Sequence, residues 1–383
     1  MAGPGRGPHR IRPVHGVHGQ AFRVTDGGSA LTEATGPPAG TRFSDPPVPG
    51  VDLTESDLDA DTRFKERVVR VLVEEPWNRY PERIPVHASE HLADALGVAP
   101  GRLSLTSGCT EALRCAFLHA HHRGMALHVP VPSYPGYARV LRTFGADHHT
   151  YDARTAPSEL VRHVSTLPDR SARAVVLGSP GNPVGPLWTV PELDRLADTS
   201  IGLVILDLTY ALFHPGAEAF LRYEHPNVVQ CLSLSKSHSL AGVRIGAMAA
   251  DPEVLGQLRR LQPDFPLDLF QLGVCHAIGE SSFLAESQDR AHRVLGITGA
   301  IAGVLEQTDG ITVVSDQNTN FVTASMDGVW WDVLAGVVRE GGLRAKVFER
   351  NRLIRFTSTA HNLELLSSLL QSRVRGRLPG GLP

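Results

Sequence analysis

Between residues 103 and 250 the chain repeats one pattern, a short β-branched run that is almost wholly apolar followed by a stretch with helical spacing. The runs RLSLTS, MALHVPV, ARAVVLGS, GLVILDL, VVQCLSLS and RIGAMAA hold too few polar residues for a sheet with one wet face, so both faces must be covered. Strands covered on both faces and joined through helices predict a mostly parallel sheet in an α/β domain. Ahead of it, Phe64, Val68, Val71 and Leu72 share one face of RFKERVVRVLVE, which predicts a helix over 63–74. Past about residue 285 the texture changes to a long helix, then ITVVS, FVTASM, a helix near Trp330 to Arg339, LRAKVF, LIRFTS and a last helix from Asn362, which together predict a smaller α+β domain. The first fifty residues are rich in Gly and Pro and have no sustained apolar period, so they read as a flexible leader. The expected organisation is a leader over 1–50, an N-terminal arm and helix over 51–85, a large domain over 86–285 and a small domain over 286–383.

Composition narrows the partners. A net charge of -3 over 383 residues supplies no basic field, so a nucleic acid or an anionic membrane is not the expected partner and a small molecule is. No apolar run approaches the roughly 18 residues of a membrane span, and the N-terminus lacks the apolar core of a signal peptide. Cys109, Cys115, Cys231 and Cys275 form no CxxC pair, which gives neither a zinc ribbon nor a disulfide framework and suits a reducing cytoplasm. His119, His121 and His122 resemble a metal cluster, but a helix puts only His119 and His122 on one face, so no metal site is expected.

Lysine usage is more selective. Arginine carries nearly all the positive charge, and the lysines are Lys65, Lys236 and Lys346. A lysine kept inside an apolar, Ser-rich turn therefore points to amine chemistry that a guanidinium cannot perform, and Lys236 is that residue. Its segment, LSLSKSHSLAGVRIGAM, also places Ser233, Ser235 and Arg244 where two hydroxyls and a guanidinium could hold a phosphate dianion beside the amine.

This SxSK run, followed eight residues later by Arg in GxRxG, resembles the signature of the fold-type I pyridoxal-phosphate-dependent aminotransferases of classes I and II, with a likeness to the histidinol-phosphate aminotransferase group. The resemblance spans roughly residues 51 to 375 and implies that Lys236 carries pyridoxal 5'-phosphate covalently. Other segments follow in the family's order. TSGCTEAL puts a Gly turn before a helix, and free N–H groups of Cys109 and Thr110 at that helix start would bind phosphate oxygens through the helix dipole. SPGNPVG resembles the family's NPxNPTG, which implies that Asn182 bonds the cofactor's ring hydroxyl. The strand GLVIL ends in DLTY, and a carboxylate at the end of a buried strand needs a partner. The resemblance gives Asp207 the pyridine nitrogen and brings Tyr210 to the ring hydroxyl. PSYPGY implies that Tyr134 stacks on the ring and that Tyr137 packs. NRYPE implies a homodimer in which Tyr80 crosses to the neighbour's cofactor phosphate. NRLIRFTST implies that Arg355 grips a substrate α-carboxylate, with Arg352 facing solvent.

The chain also departs from the family's pattern. After VDL the family has a loop of the form NENP, whereas this chain reads TESDLD, an acidic loop expected to disfavour an anionic substrate tail and to favour a cationic one. The implied activity is amino transfer between an amino acid or a derivative and a 2-oxo acid. The same cofactor chemistry serves decarboxylases, lyases and cyclases, which form the alternative. A transcription regulator would need a helix-turn-helix that the leader lacks, and a nicotinamide-binding protein would need a strand running into GxGxxG.

Overall fold

The computed structural model describes residues 52–279 and 282–374, with side chains described as far as residue 371. The leader expected over residues 1–50 lies outside the described residues. The helix predicted over 63–74 spans Thr62–Glu74, and the Asp61 side chain caps it by accepting from the Arg63 amide.

The large sheet has seven strands: β1 (Leu103–Thr106), β2 (Ala126–Val131), β3 (His148–Asp152), β4 (Arg173–Gly178), β5 (Leu203–Asp207), β6 (Val228–Ser233) and β7 (Gly246–Ala249). Their order is β1-β7-β6-β5-β4-β2-β3, and β7 alone runs against its neighbours. Alternation along each strand splits the core into two layers. Val175, Leu177, Val204 and Leu206 face one layer of helices, whereas Ala174, Val176, Leu203 and Ile205 face the other. Both faces are covered, which explains why these strands read as continuous apolar runs.

The strand β3 was not predicted. It is an edge strand whose residues, HHTYD, are mostly exposed, so it lacks the apolar run that marks its neighbours. Polar residues on an edge also discourage pairing with a second chain.

The small sheet is antiparallel in the order β10-β11-β9-β8, where β8 is Ile311–Val313, β9 Phe321–Met326, β10 Ala345–Phe348 and β11 Leu353–Thr357. Its helices are Ser282–Glu306, Gly328–Arg339 and Ala360–Val374. They bury Ile301, Leu305, Leu334 and Leu366 against Val322, Ala324, Ile354 and Phe356. In the large sheet the carboxyl ends of β1, β4, β5 and β6 open at one edge, where α/β folds place their ligands.

Candidate active site

A cavity of about 480 Å³ opens at those strand ends and is closed on its other side by residues 52–55, Lys346 and Arg355. Cys109, Thr110, Tyr134, Asn182, Asp207, Tyr210, Ser233, Ser235, Lys236, Arg244 and Arg355 all line it. The candidate residue it does not include is Tyr80, which is 83% exposed and stacks on Phe265 with ring centroids 4.7 Å apart.

At the floor, Asp207 ends β5 and is buried. Its Oδ2 accepts from the Tyr137 hydroxyl at 2.7 Å, its Oδ1 accepts from the Thr209 amide at 2.9 Å, and the Cys109 thiol lies 3.7 Å from Oδ1. Tyr137 does pack as expected, edge-on to Phe117 and Tyr134, but its hydroxyl also belongs to the site. That role was missed. Burial first, then the Asp207 charge, pushes the Tyr137 hydroxyl well above the ordinary phenol range, so it remains a donor. The same two causes raise the Cys109 thiol and keep it neutral. A buried tyrosine needs a partner for its hydroxyl, and the two tyrosines of PSYPGY offered that signal.

One end of the cavity is built for an anion. The helix Cys109–His122 starts without a side-chain cap, so its first N–H groups have no acceptor from the helix itself. Gly108 precedes it at φ 75°, and a Cβ there would meet the Arg244 guanidinium at 2.6 Å. Gly246 has a similar constraint, since its Cβ would lie 2.5 Å from the Cys109 amide nitrogen. Ser235 donates its amide to the Ser233 hydroxyl at 3.2 Å, and Arg244 reaches the Ser235 hydroxyl at 3.5 Å.

Lys236 stands between this end and the small sheet, half-buried, with its Nζ donating to the Leu53 carbonyl. Burial, helped by the Arg355 charge and opposed by Glu55 and Asp52, lowers its amine from the ordinary lysine range to about 8. Tyr210 accepts from Asn182 Nδ2 at 3.0 Å and lies 3.1 Å from the Thr54 hydroxyl, with burial the main cause that raises its hydroxyl to about 12. The peptide between Asn182 and Pro183 is cis.

At the far end Arg355 donates Nη1 to Asn182 Oδ1 at 2.8 Å and Nη2 to Asp52 Oδ2 at 2.8 Å. Asp52 was not singled out in the sequence. Arg352 is exposed at φ 50° just before β11 and lies over the Trp331 ring at 5.2 Å. Thr54, Glu55, Arg139, Thr209 and Lys346 are further lining residues that were not assigned to the site.

The acidic-loop expectation needs correction. Asp57 pairs with Arg344 and Asp59 with Lys65, so Glu55 is the one acid of TESDLD at the cavity. The lining holds Arg139, Lys236, Arg244, Lys346 and Arg355 against Asp52, Glu55 and Asp207, which gives no basis for preferring a cationic tail.

Residues 49–369 match the family model described as aminotransferase class I and II. The chain belongs to this family. It is therefore a pyridoxal-phosphate-dependent transferase. It is 29% identical over 271 residues to a histidinol-phosphate aminotransferase of Chlorobium luteolum, a match that covers 69% of this chain and 74% of the relative. Its fold is that of the histidinol-phosphate aminotransferase from Sinorhizobium meliloti solved with pyridoxal-5'-phosphate, with a TM-score of 0.66, 20% identity and coverage of 85% and 90% of the two chains. The L-threonine-O-3-phosphate decarboxylase from Porphyromonas gingivalis gives a TM-score of 0.66 at 19% identity, covering 86% of this chain and all (100%) of that one. Those two neighbours share a fold and differ in reaction, so the fold alone does not select the chemistry.

Proposed function

We propose that this cavity is where the aminotransferase holds its cofactor on Lys236 and moves an amino group between an amino acid, or a derivative of one, and a 2-oxo acid. The residues present fit the cofactor. The uncapped start of the helix Cys109–His122, with Thr110, Ser233, Ser235 and Arg244, offers donors for its phosphate. Asp207 has neutral donors as its hydrogen-bond partners and retains lone pairs for a protonated ring nitrogen. Asn182 and Tyr210 are assigned to the ring hydroxyl, and Tyr134, which lines the same cavity, to stacking on the ring. The observation that carries the assignment is the half-buried Lys236 amine in the same cavity as the buried Asp207 carboxylate.

When bound, the cofactor supplies an electron sink for bonds at the substrate's Cα. The protein's part is acid–base and positional. Asp207 holds a proton on the ring nitrogen, because a carboxylate beside a cation favours the charged form. Lys236, lowered to about 8, is neutral in about a tenth of molecules at pH 7 and in about half at pH 8, far more than an ordinary lysine, and in that form takes the proton from the substrate's Cα. Arg355 faces the substrate from the small sheet, and its fork suits a carboxylate. The relatives named for histidinol phosphate support an amino-acid derivative as donor. Near residue 285 we place the division between the cofactor-holding part and the smaller part. Tyr80, exposed here, is assigned to a neighbour's phosphate in a homodimer, and the absence of a membrane-crossing helix among the described residues supports a cytoplasmic enzyme.

The test is spectroscopic. Purified protein should carry a visible, borohydride-reducible band that Lys236→Ala abolishes, and a band that survives in that variant would remove Lys236 from the role. A monomer in solution with full activity would remove Tyr80 from its role.

A further inference from the structure

We propose that Asp52 is a specificity-determining residue, an internal carboxylate seated on Arg355, so that a substrate carboxylate reaches Arg355 only by exchanging with it. The inference rests on the assignment of Arg355 to the substrate side of the cavity. The pair is dry, with the Arg355 and Asp52 side chains 5% and 3% exposed. It is also well anchored. Asp52 Oδ1 accepts from the Thr357 hydroxyl at 2.7 Å and the Thr54 amide at 3.2 Å, while Arg355 Nη2 bonds both Oδ2 and the Asp52 carbonyl.

Guanidinium geometry makes this a competition. Each two-toothed edge that could take a carboxylate, Nη1 with Nη2 or Nε with Nη2, includes Nη2, and Asp52 holds Nη2. Asn182 holds Nη1. The Nε hydrogen is buried without a partner, so the Nε/Nη2 edge is half used. Nη2 has two hydrogens and Asp52 takes both, one with Oδ2 and one with its carbonyl, so an incoming carboxylate that completes that edge displaces an Asp52 contact, while Oδ1 keeps its own donors.

Exchange has a cost. The released Asp52 charge stays beside the incoming one, and like charges held together disfavour binding. A substrate with a hydroxyl or amide at this position meets no such repulsion. Asp52 therefore shifts the preference of the site from free carboxylates toward donors in which that group is neutral.

The experiment uses holoenzyme and two small probes, propionate and uncharged propionamide, with dissociation constants from ligand-observed NMR. Asp52→Asn should bind propionate about 10-fold more tightly than the parent, the equivalent of about 1.4 kcal/mol, with propionamide changed less than about 2-fold. Adding Arg355→Gln should remove that gain. Unchanged or weaker propionate binding in Asp52→Asn, or a gain that survives the second substitution, would overturn the proposal. Thr357→Val loosens Asp52 without removing it and carries the test if Asp52→Asn does not fold, with tighter propionate binding expected and equal binding contrary. The visible band of the parent compared with that of Lys236→Ala separates the two ideas, since its loss there tests cofactor attachment whatever propionate does.

Discussion

The two ends of the cavity each bury a charged group, and they treat it in opposite ways. Asp207 is met by a phenol, a backbone amide and a thiol, none of which cancels its charge. Arg355 is met by a carboxylate that does. A buried anion that has donors but no cation is arranged for a cation that arrives with a ligand, whereas a buried ion pair is satisfied before any ligand comes. On the proposed function the floor is set up for a protonated ring nitrogen, whereas the far end must be opened before it can recognise an anion.

The strongest way to break this contrast is Asp207→Asn. If the floor acts through its charge, turnover should fall by at least ~100-fold, since loss of a buried pairing commonly shifts a proton equilibrium by two or more units. Cofactor should remain bound, which the visible spectrum checks. Near-normal turnover would show that the charge is not what matters.

At the other end, stability is the sharper readout. Asp52→Ala leaves the Arg355 charge buried and should cost about 3 kcal/mol, the size expected for removing one member of a buried ion pair. Replacing both Asp52 and Arg355 by leucine should cost less than the sum of the two single replacements, as denaturant melts would reveal. Strict additivity would mean that the two side chains do not act as a pair.

Tyr137→Phe probes the floor more gently. It removes one of the two hydrogen-bond donors within 3 Å of the Asp207 carboxylate and should lower turnover about 10-fold while costing about 1–2 kcal/mol of stability. Equal activity would make Tyr137 a packing residue only.

The smallest effect is on pH. In protein freed of cofactor, the Lys236 amine is lowered to about 8, below its unfolded value. The unfolded chain then binds more protons than the folded one between about pH 8 and 10.5, so this residue makes stability rise with pH across that window. The rise should be absent in Lys236→Met, and an unchanged slope there would show that the amine is not lowered.

The same contrast marks what the sequence could show. Lys236 was legible as one of three lysines, set in a Ser-rich turn after a buried strand, and Asp207 as a carboxylate that ends another, whereas Asn182 came from the likeness of SPGNPVG to the family's motif. Six strands of the large sheet were legible as apolar runs, and β3 was not because an exposed edge removes its apolar signal. Tyr137 was read as packing because its inward direction is fixed by where the helix Pro135–Thr143 begins, which spacing alone does not give. Asp52 was missed for a deeper reason. Its partner lies 303 residues away in sequence, and no local pattern reports that two charges will meet across the fold.

The most direct measurement is to reduce the holoenzyme with borohydride, digest it and locate the cofactor-bearing lysine by mass spectrometry. The described fold leaves three candidate side-chain amines, Lys65, Lys236 and Lys346, and among them Lys236 and Lys346 line the cavity. The account predicts the label on the peptide that runs from Tyr223 to Arg244 and contains Lys236. A label on Lys346 or Lys65 would contradict it.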